Sequence, residues 1–211
     1  MNIGKNFCTI YLVRHGETEW NKAGILMGQL DSPLTKSGIE QVAGTARDLE
    51  GVDFKAVFSS DLQRAVKTAE IIKLDRGIVV QTRKTLRERC YGRLEGSTIE
   101  EYRKKFKKYF EKLKALTEKE RRDYKLDYDI ESDGEIIERM AAQLRGIALE
   151  HLGETVLVVS HGSCIMTFLT HLGRSFADWG VGGIANNGYA VILYNGKNFI
   201  VKDVKGIKNT E

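Results

Sequence analysis

Short apolar or β-branched runs recur along the chain, at "CTIYLV" (8–13), "AVFSS" (56–60), "GIVVQT" (77–82), "TVLVVS" (155–160), "YAVILY" (189–194) and "NFIVKDV" (198–204). Runs without a period of two suit strands covered on both faces, as in a mostly parallel sheet. Between them the apolar spacing becomes helical. "TKSGIEQVAGTARDLEG" aligns Ile39, Val42, Ala43, Ala46 and Leu49 on one stripe, with Gly51 placed as a stop. "SDLQRAVKTAEIIKL" repeats the plan, with Ser60 or Asp61 available as its N-cap. Further helices are predicted over about 135–151 and 163–172, the latter closing on Gly173. Strand alternating with helix predicts an α/β fold, a three-layer sandwich with a mostly parallel central sheet flanked by helices. The last two runs meet at Asn195-Gly196 and predict a type I′ hairpin, hence one antiparallel edge.

One domain over residues 1–211 is expected, with an insertion at about 97–133. There Ile99, Tyr102, Phe106, Tyr109, Phe110, Leu113 and Leu116 recur at helical spacing among lysines, predicting a helix that packs its aromatic stripe and wets its charges. Residues 100–125 carry a local charge of +5 within a chain whose total is +4, so the basic character belongs to this segment. No base-reading motif accompanies it, and no nucleic-acid partner is expected. No run approaches the roughly 18 apolar residues of a membrane span, and a cytoplasmic protein without a membrane partner is expected. Cys8, Cys90 and Cys164 lack disulfide or metal-ligand spacing and suit small apolar roles as reduced thiols. A homodimer is left open.

The first strand ends at Val13, so Arg14, His15 and Gly16 fall at its C-terminal edge, where open α/β sheets bind ligands. The run "TVLVVS" ends in the same way on His161 and Gly162, 146 residues further along. Arg64 lies in the first turn of a helix that follows another strand. Two guanidiniums beside two imidazoles repel a metal cation but suit a dianionic phosphoryl group, which planar forks grip bidentately. Neither a metal nor a cofactor is expected. His151 is expected at a helix end and His171 as an ordinary helix residue, while Arg121-Arg122 is read as solvated charge ahead of a substrate clamp.

In order, "LVRHGETEWN", "DSPLTKSG", "SSDLQRAVKTAE", "LRERCYGRLEG" and "VVSHG" are spread over about three quarters of the chain, and this set resembles the histidine phosphatase superfamily. The resemblance implies that His15 is a transiently phosphorylated nucleophile, with Arg14, Arg64 and His161 stabilising the transferring group. It makes Glu88 the proton donor, and Asn21, Gly162 and the position of Met27 contacts to a small phosphorylated metabolite. The function implied is a metal-independent phosphomonoesterase, with a cofactor-dependent phosphoglycerate mutase as the alternative and a non-catalytic phosphate-binding protein behind both. For Glu88 the competing reading is an ion pair with Arg87 or Arg89. The chain departs from the pattern at Met27, where a polar residue is common, and at Ile136, where a serine is common.

Overall fold

The computed structural model describes residues 7–74, 76–125, 128–175 and 183–207. Its sheet is built from β1 (Cys8–Arg14), β2 (Phe54–Ser59), β3 (Val80–Thr82), β4 (Thr155–Ser160), β5 (Ile184–Tyr194) and β6 (Phe199–Ile207), in the order β3-β2-β4-β1-β5-β6. Strands β1 to β4 pair in parallel, while β5 runs antiparallel to both β1 and β6. The alternating plan is therefore present with its antiparallel side. In register, Val13 lies opposite Val159 and Arg14 opposite Ser160, so both strands release their next residue at the same level.

The helices are α1 (Glu19–Lys22), α2 (Lys36–Asp48), α3 (Gln63–Ile72), α4 (Ile99–Lys105), α5 (Lys107–Ala115), α6 (Glu118–Asp123), α7 (Asp133–Glu150) and α8 (Gly162–His171). Each sheet face has its own core. Ile10, Leu12, Val156 and Val158 pack with Met140 and Leu144 of α7 and Ile165 and Phe168 of α8. Val13, Leu157 and Val159 pack on the other side with Val42 of α2 and Ala65, Ala69 and Ile72 of α3. Burial on two faces explains why these strands read as apolar runs. Among the described residues, no helix is long and apolar enough to cross a membrane.

Several local expectations are corrected. Ile39 is 41% exposed, because the buried stripe of α2 runs through Gly38, Val42, Thr45 and Ala46. Gly51 does not close that helix through a left-handed turn; Leu49 is its C-cap, with a negative φ. The final hairpin is shifted by one residue. Asn195 N–H donates to the Asn198 carbonyl, and Gly196 has φ +87° while Asn195 does not turn positive, the pattern of a type II′ turn centred on Gly196-Lys197. Asn195 Oδ1 accepts from the N–H groups of Lys197 and Asn198 and holds the turn there.

The insertion is three short helices instead of one. Phe106 leaves helical geometry between α4 and α5, and capping boxes at Thr98/Glu101 and Thr117/Glu120 start α4 and α6. Its stripe forms a third cluster, in which Phe106 joins Leu26, Tyr91, Leu94 and Ile130, flanked by Ile99, Tyr102 and Tyr109. The side chain of Phe110, also expected on that stripe, lies outside the described set.

Candidate active site

His15 and His161 leave β1 and β4 side by side, with ring centroids 5.1 Å apart. The backbone N–H of His15 donates to the Ser160 carbonyl at 3.1 Å, which ties the two strand ends together. His15 Nδ1 lies 2.7 Å from the Gly16 carbonyl. A carbonyl only accepts, so Nδ1 carries the proton and Nε2 keeps its lone pair. Burial, then Arg64 and then Arg14, hold this imidazole's pKa well below its usual value. His161 is fully buried, and burial followed by Arg64 and His15 lowers its pKa in the same way.

Both arginines are delivered as expected. Arg14 donates Nη1 to the Ile184 carbonyl, and its guanidinium lies against Gly162, where a Cβ would meet Cζ and Nε at 3.1 Å. Arg64 is 1% exposed and donates to the carbonyls of Leu30 (2.6 Å) and Gly28 (2.8 Å). Four buried polar atoms nevertheless have no partner among the described residues: Arg14 Nε, Arg64 Nε and the two ring nitrogens of His161. Each such group costs about 1–3 kcal/mol if left unmet. Three residues of one corner therefore share unmet donors, a chemistry suited to an oxyanion and hostile to a cation. Among the described residues, no three His, Cys, Asp or Glu side chains form a metal-holding group.

Glu88 is not ion-paired with its neighbours. Arg87 is held bidentately by Asp61 at 2.7 Å on each side, and Arg89 by Asp133 at 2.6 Å. The Glu88 carboxylate instead accepts backbone N–H groups of Arg89 (2.8 Å), Ser163 (3.1 Å) and Cys164 (3.2 Å), the last two in the first turn of α8. Asn21 Oδ1 accepts from Thr18 N–H and from Asn186 Nδ2. Met27 is buried, and its sulfur accepts from the Thr18 hydroxyl at 3.4 Å. Ile136 sits fully buried in the core under the sheet, away from solvent.

A cavity of about 470 Å³ opens over this corner, and its walls include Arg14, His15, Asn21, Met27, Arg64, Glu88 and Gly162. His161, fully buried, is absent from that lining, with its ring 5.1 Å from that of His15. Arg121, Arg122 and His171 also line it, and both arginines are half-buried there. A Cβ at Gly134 would stand 2.7 Å from the Arg122 carbonyl, so the glycine lets α6 pack directly on the first turn of α7. His151 does sit at a helix end, as the C-cap of α7, with Nδ1 2.7 Å from Glu154. Cys8 and Cys164 are buried thiols whose pKa values burial raises, Cys8 to about 12, while Cys90 is half-buried.

Two supporting groups escape sequence reasoning. Asp31 accepts from the N–H groups of Gln63 and Arg64 and pairs with Arg64 Nη1 at 3.1 Å, so it caps α3 and orients the arginine at once. Neither Ser60 nor Asp61 makes that cap; Ser60 Oγ accepts from Leu62, one residue earlier. Asn186 donates to both Asn21 and the His15 carbonyl from β5. Only the aspartate of "DSPLT" offered a signal, since a turn aspartate ahead of an arginine-bearing helix is a candidate cap.

A mostly parallel sheet with paired histidines at adjacent strand ends and two arginines at the same corner belongs to the phosphoglycerate mutase-like folds. Residues 10–205 match the profile of the histidine phosphatase superfamily (branch 1), and the chain belongs to that family. It is 36% identical over 163 residues to the probable phosphoglycerate mutase GpmB of Yersinia pestis, covering 77% of this chain and 74% of that protein. The structure of Bacillus stearothermophilus YhfR superposes with a TM-score of 0.81 at 30% identity, over 96% of this chain and 98% of the other. The Entamoeba histolytica phosphoserine phosphatase in complex with 3-phosphoglyceric acid does so with 0.73 at 25% identity, over 93% and 96%.

Proposed function

We propose that this protein is a metal-independent phosphomonoesterase that works through a phosphohistidine on His15, taking small phosphorylated metabolites as substrates. The observation that carries the reading is the commitment of His15 Nδ1 to the Gly16 carbonyl inside a cationic, buried corner. Nε2 is thereby left as a neutral nucleophile facing a site built for oxyanions. Arg14, Arg64 and His161 hold the phosphoryl oxygens through their unmet donors, and Asn21 adds an amide N–H. In the first half-reaction Nε2 bonds to phosphorus as the ester P–O bond breaks, and Glu88 gives its proton to the departing alkoxide. In the second, Glu88 takes a proton from water as the oxygen attacks the phosphohistidine and returns Nε2 free. Positive charge at the transferring group comes from the two arginines, where a metal would otherwise supply it.

A phosphoglycerate mutase is the second reading, favoured by Arg121 and Arg122 on the cavity wall and by the mutase name of the GpmB relative. Hydrolysis is preferred because "ILMGQLDSPLT" follows the phosphatase form of its block. Assay in EDTA with 3-phosphoglycerate and catalytic 2,3-bisphosphoglycerate separates them, following free phosphate and 2-phosphoglycerate together. Phosphate release undiminished by chelator supports the phosphatase. Efficient isomerisation with little phosphate overturns it in favour of the mutase, and loss of activity restored by a divalent metal overturns the metal-free mechanism.

A further inference from the structure

We propose that the alcohol portion of the substrate is bulky and apolar, and that it seats on an aromatic wall running from Tyr91 into the 97–133 insertion. This rests on the phosphomonoesterase reading and names its substrate class. The leaving oxygen must lie within reach of Glu88, so the alcohol extends from there. Glu88 accepts the N–H of Ser163, and the Ser163 hydroxyl is 2.6 Å from the hydroxyl of Tyr91. Tyr91 therefore begins the wall on the leaving-group side.

From Tyr91 the rings continue outward without a break. Tyr91 meets Tyr102 edge-on at 5.4 Å, Tyr102 meets Phe106 at 5.3 Å, and Phe106 meets Tyr109 at 6.3 Å. Tyr91, Tyr102 and Tyr109 all face the cavity, joined by Ile99 and Leu113 of the same insertion. Of the arginines on this side, Arg89 is engaged by Asp133 at 2.6 Å and Arg122 by Glu138 at 3.7 Å, while Arg103 and Arg121 add charge among the rings. At about 470 Å³ the cavity falls in the range that encloses a ligand far larger than a phosphorylated triose. A short hydroxylated alcohol is too small to cover this alkyl and aryl surface, whereas a bulky apolar one gains by burying its own surface against it.

The test compares primary alkyl phosphates, 3-phenylpropyl phosphate and hexyl phosphate against glycerol 3-phosphate and 3-phosphoglycerate, whose neighbouring hydroxyls make them the better leaving groups and so work against the expected order. The apolar esters are expected to show at least about tenfold higher kcat/KM, mainly through KM. Leu113→Gln and Ile99→Gln are expected to erase most of that advantage while leaving turnover of glycerol 3-phosphate within about twofold. Calorimetry adds a readout free of turnover, with 3-phenylpropylphosphonate expected to bind more tightly than methylphosphonate. Equal or reversed preference, or variants that lower all esters alike, would overturn the inference. The phosphoenzyme keeps the two readings apart. Acid-labile phosphate on His15 from every ester, with no preference among them, sinks this inference alone, whereas its absence with all esters sinks the phosphomonoesterase reading itself.

Discussion

The corner around His15 and the wall of the insertion line one cavity, yet they are built on opposite plans. At the corner, His15, Arg64 and His161 are almost wholly buried, and carbonyls and one carboxylate from a strand end and a loop set the orientation of His15 and Arg64. Along the insertion, α4, α5 and α6 are short, largely exposed helices held by a cluster of rings and aliphatic side chains and by the seating of α6 on α7. Polar donors in a dry corner demand a partner of one chemistry. Rings demand only apolar surface, so such a wall tolerates many shapes. The difference assigns phosphoryl chemistry to the corner and choice of alcohol to the insertion.

The comparison is broken most severely at the nucleophile. His15→Ala is expected to lower kcat by about 10⁴-fold or more with every ester, while the circular dichroism spectrum and thermal midpoint stay near wild type. A variant that retains a tenth of the activity would remove the corner from the chemistry. Glu88→Gln is expected to cost roughly 10²–10⁴-fold on alkyl phosphates and much less on 4-nitrophenyl phosphate, whose leaving group needs no proton. Equal losses on both substrates would show that Glu88 does not act as an acid.

The buried imidazoles make a pH prediction. Because burial and the arginines lower the pKa of His15, its nucleophile stays unprotonated through and below the usual imidazole range, and the acid limb of kcat/KM is expected below pH 6.5. The unfolded chain takes up those protons near 6.5 and the folded one does not, so stability is expected to fall as pH drops below that value. A thermal midpoint that stays flat or rises from pH 7 to 5 would contradict neutral buried histidines.

Asp31→Ala is expected to destabilise the fold by about 1–3 kcal/mol in urea and to raise KM for every ester alike, because the cap of α3 and the partner of Arg64 disappear together. A rise confined to apolar esters would place Asp31 with the wall. The smallest effect belongs to the exposed lysines. Replacing Lys104, Lys105, Lys107 and Lys108 by Gln is expected to flatten the fall of kcat/KM with ionic strength while kcat is unchanged. An unaltered salt response would make that basic face mere solvation.

The division between legible and hidden follows the range of the interactions. Six strands, four helices and the approach of His15 to His161 were readable, because a strand buried on both faces is an apolar run and its C-terminal edge is the next residue along. Capping boxes at Thr98 and Thr117 are equally local; they start α4 and α6, while the break at Phe106 between α4 and α5 has no such signal. By itself, then, the sequence determined the order of elements, the sheet type and the chemistry offered at two strand ends. Only the tertiary structure decided which groups satisfy that chemistry. Asp31 reaches Arg64 across 33 residues, Asn186 reaches Asn21 across 165, and Glu88 meets the N–H groups of α8 across 75 and 76. Such contacts leave no periodic trace, since a hydrogen bond depends on where two groups end up and not on their spacing along the chain. The arginine pair at 121–122 makes the same point: its place on the cavity wall depends on the packing of α6 against Gly134 of α7, which the charge pattern does not show.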